Sequence, residues 1–198
     1  MVVGKKIIAV DIDEVLFPFM DAFRVHHNKT YGTQFGREDI LSYDLSKELG
    51  ISAQDAVNRV YDFHQSEGYK LVSPLAAAHA AIVKLAIVYD LEAVSARLPQ
   101  LSSITAGQLD KYFPNCFTGI TSIGYAAILE KPRTKAEVCL ELHAFSLIDD
   151  QLHHAEQAAK QGIQVVLFGN YSWNQADNLP KGVTRCRDWS TVLKYFGV

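Results

Sequence analysis

The chain is predicted to fold as an α/β protein, a parallel sheet with a small helical cap inserted after its first strand. Short apolar runs alternate with helix-patterned stretches over most of its length, and such alternation builds right-handed βαβ units. The alternation breaks once, between Leu16 and Val72, where helical spacing continues with no strand candidate. Strand-like runs end in reactive side chains, and the carboxyl ends of parallel strands are where such sheets bind ligands.

Each element has its own reason. Lys6–Val10 is a short apolar run stopped by Asp11 and reads as a buried strand. Pro18 suits the first turn of a helix that carries Phe19, Phe23, His26, His27 and Tyr31 to a stop at Gly32. Ser52 can cap a second helix with the apolar face Ala56, Val57, Val60, Tyr61 and His64. Ser73-Pro74 is expected to open a long helix through Leu75, Ala78, Ile82 and Leu85. Strands follow at Leu91–Ser95, Phe117–Ile123, Phe145–Ile148 and Ile163–Phe168. Helices start at Ser102 or Ser103, at Thr134 (with Glu137 completing a capping box), at Gln151 and at Thr191. Gly162 closes the Gln151 helix. This gives a five-stranded core over residues 1–15 and 73–198 and a cap over residues 16–72.

Composition narrows the class. At 198 residues the chain makes one domain, and that size buries roughly 70% of its unfolded surface without disulfides or structural metal. Hydrophobic residues at 48% and charged residues at 21% exclude a disordered chain. A net charge of −3 argues against a nucleic-acid polymer as partner. Cys116, Cys139 and Cys186 form neither a zinc pattern nor a disulfide framework. Their number suits a reducing compartment. No apolar run is long enough to cross a membrane, and Met1–Lys6 has no leader layout. The expected location is cytoplasmic, and the oligomeric state, a homodimer included, is left open.

The strand ends carry the chemistry. The first run ends Asp11-Ile12-Asp13-Glu14, the second Ser95-Ala96-Arg97 and the fourth Asp149-Asp150, while Lys135 opens the helix before the fourth strand. Clustered carboxylates repel. A hard divalent cation with oxygen ligands relieves that repulsion, and Mg²⁺ commonly shares such a site with a substrate phosphate. A lysine and a helix N-terminus add to a phosphate site. A carboxylate beside the phosphate can attack phosphorus, and a second one two residues on can serve as acid and base.

In that order these residues resemble the four motifs of the haloacid dehalogenase-like phosphohydrolases, with Asp11–Leu16, Ser95, Lys135 and Asp149-Asp150 in place. The stretches Lys135–Cys139, Leu147–Asp150, Gly162-Ile163, Ser172–Asn174 and Arg187–Trp189 are similar to the 5′(3′)-deoxyribonucleotidase group. The resemblance implies a Rossmann-like core and a Mg²⁺-dependent phosphomonoesterase acting on nucleoside monophosphates. Asp11 would be nucleophile and metal ligand. Asp13 would be the acid/base, with its backbone carbonyl on the metal. Ser95 and Lys135 would hold the phosphoryl group, and Asp149 and Asp150 would complete the metal site. Phe19 would face the base, and Ala96 and Arg97 would lie against the substrate. Two departures stand out: Glu14 occupies a position where many relatives have glycine, and the cap lacks paired tryptophans, since Trp173 and Trp189 lie near the C-terminus.

Alternatives stand beside this reading. Lys131 rivals Lys135 for the phosphate. The pairs His26-His27 and His153-His154 point to different helix faces, so neither is expected to share an ion. Cys139 reads as a small buried hydrophobe. The substrate could be a phosphosugar or another small phosphometabolite. The protein could also be a non-catalytic phosphate sensor, though a pure binder does not need Asp13.

Overall fold

The structure is a computed structural model that describes residues 4–37 and 39–198. Met1–Val3 of the expected core and Glu38 of the expected cap lie outside the described residues. β1 (Ile7–Val10) is buried over Ile8–Val10, as befits the centre of a parallel sheet. It is followed by β2 (Asp90–Ser95), β3 (Phe117–Ser122), β4 (Ser146–Asp149), β5 (Gln164–Phe168) and β6 (Val183–Cys186). All pairings are parallel, in the order β3-β2-β1-β4-β5-β6. The chain winds outward from β1 to β3, then returns to lay β4 on the other side of β1. The carboxyl ends of β1 and β4 therefore flank the switch point, where an open α/β sheet leaves a crevice.

The sheet has six strands, not the five expected. β6 is four residues long, Val-Thr-Arg-Cys, with apolar residues only at its two ends. As an edge strand beside β5 it needs no continuous apolar run, so periodicity does not mark it.

Among the described residues five helices lie between β1 and β2, and the first four build the inserted segment: α1 (Phe19–Tyr31), α2 (Leu45–Leu49), α3 (Ala53–Gln65) and α4 (Glu67–Lys70). Gly32 ends α1 at φ 65°, and the Ser52 side chain caps α3 by accepting from the Asp55 N–H. Phe19, Phe23 and Phe63 pack their rings together to join α1 and α3. Tyr61, expected on the buried face of α3, is exposed, and Phe63 takes the buried place.

The long helix after this segment, α5 (Ala78–Val88), begins at Ala78 and not at Ser73-Pro74. The Leu75 N–H is bound to the Leu16 carbonyl at 2.8 Å, and Ala77 takes φ 63°. The chain is tied to the loop after β1 where it returns to the core, and helix geometry starts only past that tie.

The remaining helices are α6 (Ser102–Tyr112), α7 (Lys135–Glu141), α8 (Leu152–Lys160) and α9 (Trp189–Phe196). Successive strand residues point to opposite faces. Ile8 and Val10 pack with Ile82, Leu85 and Trp189 on one side, and Ala9 with Val138, Cys139 and Ala155 on the other. The three cysteines are free and buried. Among the described residues no helix is long and apolar enough to cross a membrane.

Candidate active site

The loop after β1 folds back on itself through Leu16 N–H to Ile12 O at 2.9 Å and Glu14 N–H to Phe17 O at 2.8 Å. The turn needs a left-handed residue, and Glu14 supplies it at φ 61°. The conformation is one glycine adopts with less strain. The glutamate has a use that glycine could not serve: its buried carboxyl accepts from the Met20 N–H at 2.6 Å, at the open N-terminus of α1. Burial pushes the Glu14 carboxyl up to about 8, so it caps the helix largely as the neutral acid. Glu14 therefore stitches this loop to the inserted helices.

This loop sets Asp11 opposite the end of β4. Lys135 Nζ lies 2.7 Å from Asp11 Oδ1 and 2.7 Å from Asp149 Oδ2, and all three side chains are buried. The lysine is delivered by the start of α7, where Thr134 and Glu137 form a capping box. Lys131 is exposed. Burial pushes the Asp11 carboxyl up to about 7 against the pull of Lys135. Burial would also raise Asp149, but Lys135 outweighs it and holds that carboxyl below its usual range. Asp150 is raised well above the ordinary value by burial and by the Asp149 and Asp11 charges.

A cation fits here on the chemistry of the donors. Oxygens of Asp11, Asp149 and Asp150 lie within 4.8 Å of one another. Asp150 Oδ1 is buried and has no hydrogen-bond partner, a condition that ordinarily has a specific reason. With Asp11, Asp13, Asp149 and Asp150 all ionised, Lys135 and Arg97 would leave two negative charges uncompensated, which one divalent cation would neutralise. Hard oxygen ligands suit Mg²⁺.

Asp13 turns away from that trio. Arg97 holds it with a two-point ion pair, Nε to Oδ2 at 3.0 Å and Nη2 to Oδ1 at 2.7 Å. Burial alone would raise Asp13, but the guanidinium overrides it and the net direction is down. Arg97 is itself buried and bound by Tyr69, Thr105 and Gln108. Arg97, expected against the substrate, is thus paired with Asp13 and also lines the adjoining cavity. Ser95 is buried at the end of β2, where its Oγ accepts from the Arg97 N–H at 3.2 Å.

A cavity of about 700 Å³ opens beside this cluster, with Asp13, Phe19, Tyr43, His64, Arg97 and Trp173 among its walls. Ala96 also lines it. Phe19 borders the cavity but is mostly packed, against Phe23 and His64. His64 bonds the Val60 carbonyl through Nδ1 at 2.7 Å, and burial drives its imidazole down to about 4.

The expected separation of His153 and His154 does not hold: at the start of α8 their rings tilt together with centroids 3.8 Å apart. Of His26 and His27, the second is buried against Thr33 and Arg59. Neither pair belongs to a metal-ligating group among the described residues.

Several functional contacts escaped the sequence reading. Trp173 Nε1 donates to Asp150 Oδ2 at 2.7 Å, and Asn174 Nδ2 donates to the Asp150 carbonyl at 2.9 Å. Tyr171 Oη donates to the Glu14 carbonyl at 2.8 Å, and Trp189 Nε1 donates to the Val15 carbonyl at 3.0 Å. The C-terminal aromatics thus brace the loop after β1 and orient one carboxylate. Their clustering in a polar loop, Tyr171-Ser172-Trp173-Asn174, was the signal available; burying an indole N–H calls for an acceptor.

Comparison with known proteins agrees with this geometry. A search of curated proteins gave no match. Among solved structures, the fold is similar to a haloacid dehalogenase-like family hydrolase from Streptococcus pneumoniae (16% identity, 97% of this chain and 98% of that one, TM-score 0.72). It is also similar to a subfamily IA hydrolase of that superfamily from Geobacter sulfurreducens PCA (16%, 98% and 97%, TM-score 0.61). A predicted phosphoglycolate phosphatase from Haemophilus somnus 129pt is a third (14%, 99% and 100%, TM-score 0.65). At these identities the likeness is one of fold. The family described as 5′ nucleotidase, deoxy (pyrimidine), cytosolic type C protein matches over residues 5–195. The chain therefore belongs to that family, within the haloacid dehalogenase-like hydrolases, and is a phosphoric monoester hydrolase.

Proposed function

We propose that the protein is a Mg²⁺-dependent phosphomonoesterase that hydrolyses nucleoside 5′-monophosphates, ribo or deoxy, through a phospho-aspartyl intermediate on Asp11. The observation that carries this reading is the placement of Lys135 between Asp11 and Asp149, next to the bare oxygen of Asp150, at the switch point of the sheet. Asp11, Asp149, Asp150 and the backbone carbonyl of Asp13 would hold Mg²⁺, which supplies the positive charge that lets a phosphate dianion approach a carboxylate.

The side chains carry out two displacements. Asp11 attacks phosphorus, the P–O bond to the ester oxygen breaks, and Asp13 protonates the departing alcohol. Asp13 then takes a proton from water, which attacks the phospho-aspartyl group and releases phosphate and free Asp11. Lys135 and Ser95 stabilise charge on the equatorial oxygens. Ion-paired with Arg97, Asp13 is poised as a base. To act first as an acid it must loosen that pair and take up a proton from solvent when the ester binds; the proton it later takes from water restores that state for the next turnover.

A nucleoside as leaving group is supported by the cavity. Its volume is in the range of sites for drug-sized ligands. Phe19, Tyr43 and Trp173 suit a planar base better than a polyhydroxylated sugar. Phosphate release from nucleoside monophosphates and phosphosugars, with Mg²⁺ and with chelator, tests the proposal. Release from nucleotides that requires Mg²⁺ is expected. Faster turnover of a phosphosugar would overturn the substrate class, and full activity in chelator would overturn the metal.

A further inference from the structure

Tyr43 sits in the loop between α1 and α2, and the loop fixes it firmly. Ser42 Oγ donates to Glu48 at 2.6 Å, Asp44 caps α2 by accepting from the Ser46 N–H, and the Ile40 carbonyl accepts from Ser172 Oγ of the core at 2.5 Å. The Tyr43 ring meets Trp173 edge to face with centroids 5.6 Å apart, and Trp173 in turn holds Asp150. The Tyr43 hydroxyl is buried and has no hydrogen-bond partner. Tyr43 lines the active-site cavity together with Asp13 and Trp173. A buried hydroxyl without a partner costs stability, so a pinned loop that leaves one bare on the residue lining this cavity calls for a reason. The cluster has one buried acceptor with no donor, Asp150 Oδ1, which suits a cation. Tyr43 is its counterpart, a donor with no acceptor, which suits an anion.

We propose that the Tyr43 hydroxyl is a further ligand of the phosphoryl group, donating to one of its non-bridging oxygens. The proposal rests on the phosphomonoesterase reading above and extends it by one residue, carried on the inserted segment and not on the sheet. Burial, and after it the surrounding carboxylates, hold the phenol well above its ordinary range, so the proton stays available. The donor follows the phosphoryl group itself and is indifferent to the alcohol attached to it.

Tyr43→Phe removes the oxygen and keeps the ring against Trp173; a melting temperature no lower than the parent's and unchanged far-ultraviolet dichroism confirm the fold. Three quantities are then compared with the parent: affinity for inorganic phosphate and for orthovanadate with Mg²⁺ present, affinity for Mg²⁺ alone, and kcat/KM for phenyl phosphate and for a nucleoside 5′-monophosphate. A hydrogen bond to a charged partner predicts that phosphate and vanadate affinities fall roughly 10- to 100-fold, with Mg²⁺ affinity unchanged and kcat/KM lowered by a similar factor for both esters. Undiminished phosphate and vanadate binding overturns the proposal. So does a parallel loss of Mg²⁺ affinity, which would put the hydroxyl on the metal's water, or a loss confined to the nucleotide, which would put it on the leaving group. A parent protein that binds phosphate but cleaves no ester would sink the enzymatic reading and leave the Tyr43 assignment to the binding data. A parent that binds no phosphate would sink both.

Discussion

The sheet end and the inserted segment solve opposite problems. At the carboxyl ends of β1 and β4, buried charges are nearly all matched: Lys135 spans Asp11 and Asp149, Arg97 grips Asp13, and Trp173 binds Asp150, leaving Asp150 Oδ1 free. On the wall built by residues 16–72, two buried polar atoms, Tyr43 Oη and His64 Nε2, face the cavity with no partner. A matched cluster is rigid and performs one kind of chemistry. A wall with open hydrogen-bonding groups is completed only by a ligand. The comparison teaches that the sheet carries the matched charges of the reaction centre, whereas the insertion brings bare hydrogen-bonding groups to the cavity wall.

The sharpest way to break this contrast is to remove the nucleophile. Asp11→Asn is expected to lower kcat by about 10⁴-fold or more and to abolish phosphate incorporation into the protein, measured by rapid quench. A variant as fast as the parent would refute the covalent route. Next in size is Lys135→Ala, which strands two buried carboxylates and should cost about 3–5 kcal/mol of stability by urea unfolding. Lys131→Ala, on the exposed loop, should stay within about 0.5 kcal/mol.

Smaller effects sharpen the comparison. Trp173→Phe removes the donor that orients Asp150 and should weaken Mg²⁺ binding about 10-fold by calorimetry. Mg²⁺ affinity should also rise with pH. Asp11 is pushed up to about 7 by burial and Asp150 is raised as well, so a cation must displace more protons as the pH falls. Titrations at pH 5.5 and 8 that give the same affinity would contradict this.

The smallest effect belongs to Glu14. Its folded value, about 8, lies above the ordinary 4.5, so the folded state holds its proton more tightly than the unfolded chain. That contribution is fully present below about pH 4.5 and is lost as pH rises through about 8. Glu14→Gln should therefore gain on the parent between pH 6 and 9, by a few °C in melting temperature.

What the amino-acid order settles by itself is local. The β1 run, the Thr134–Glu137 capping box and the Gly162 stop depend on neighbours a few residues away, and they place Asp11, Ser95, Lys135 and Asp149-Asp150 at strand ends or at a helix start. The position of Lys135 over Lys131 was legible because a helix start aims its first residues back at the sheet edge. Tertiary structure alone decides what those groups touch. Arg97 and Asp13 are 84 residues apart, Trp173 and Asp150 are 23, and Tyr43 meets Trp173 from a loop pinned by Ser172. Even Glu14, which marked itself by departing from glycine, revealed its purpose only when α1 presented the Met20 N–H. β6 escaped notice because an edge strand takes its stability from β5 and not from its own pattern. Periodicity and capping act over a few residues of chain, whereas a buried polar atom finds its partner through packing in three dimensions, and no local pattern encodes that choice.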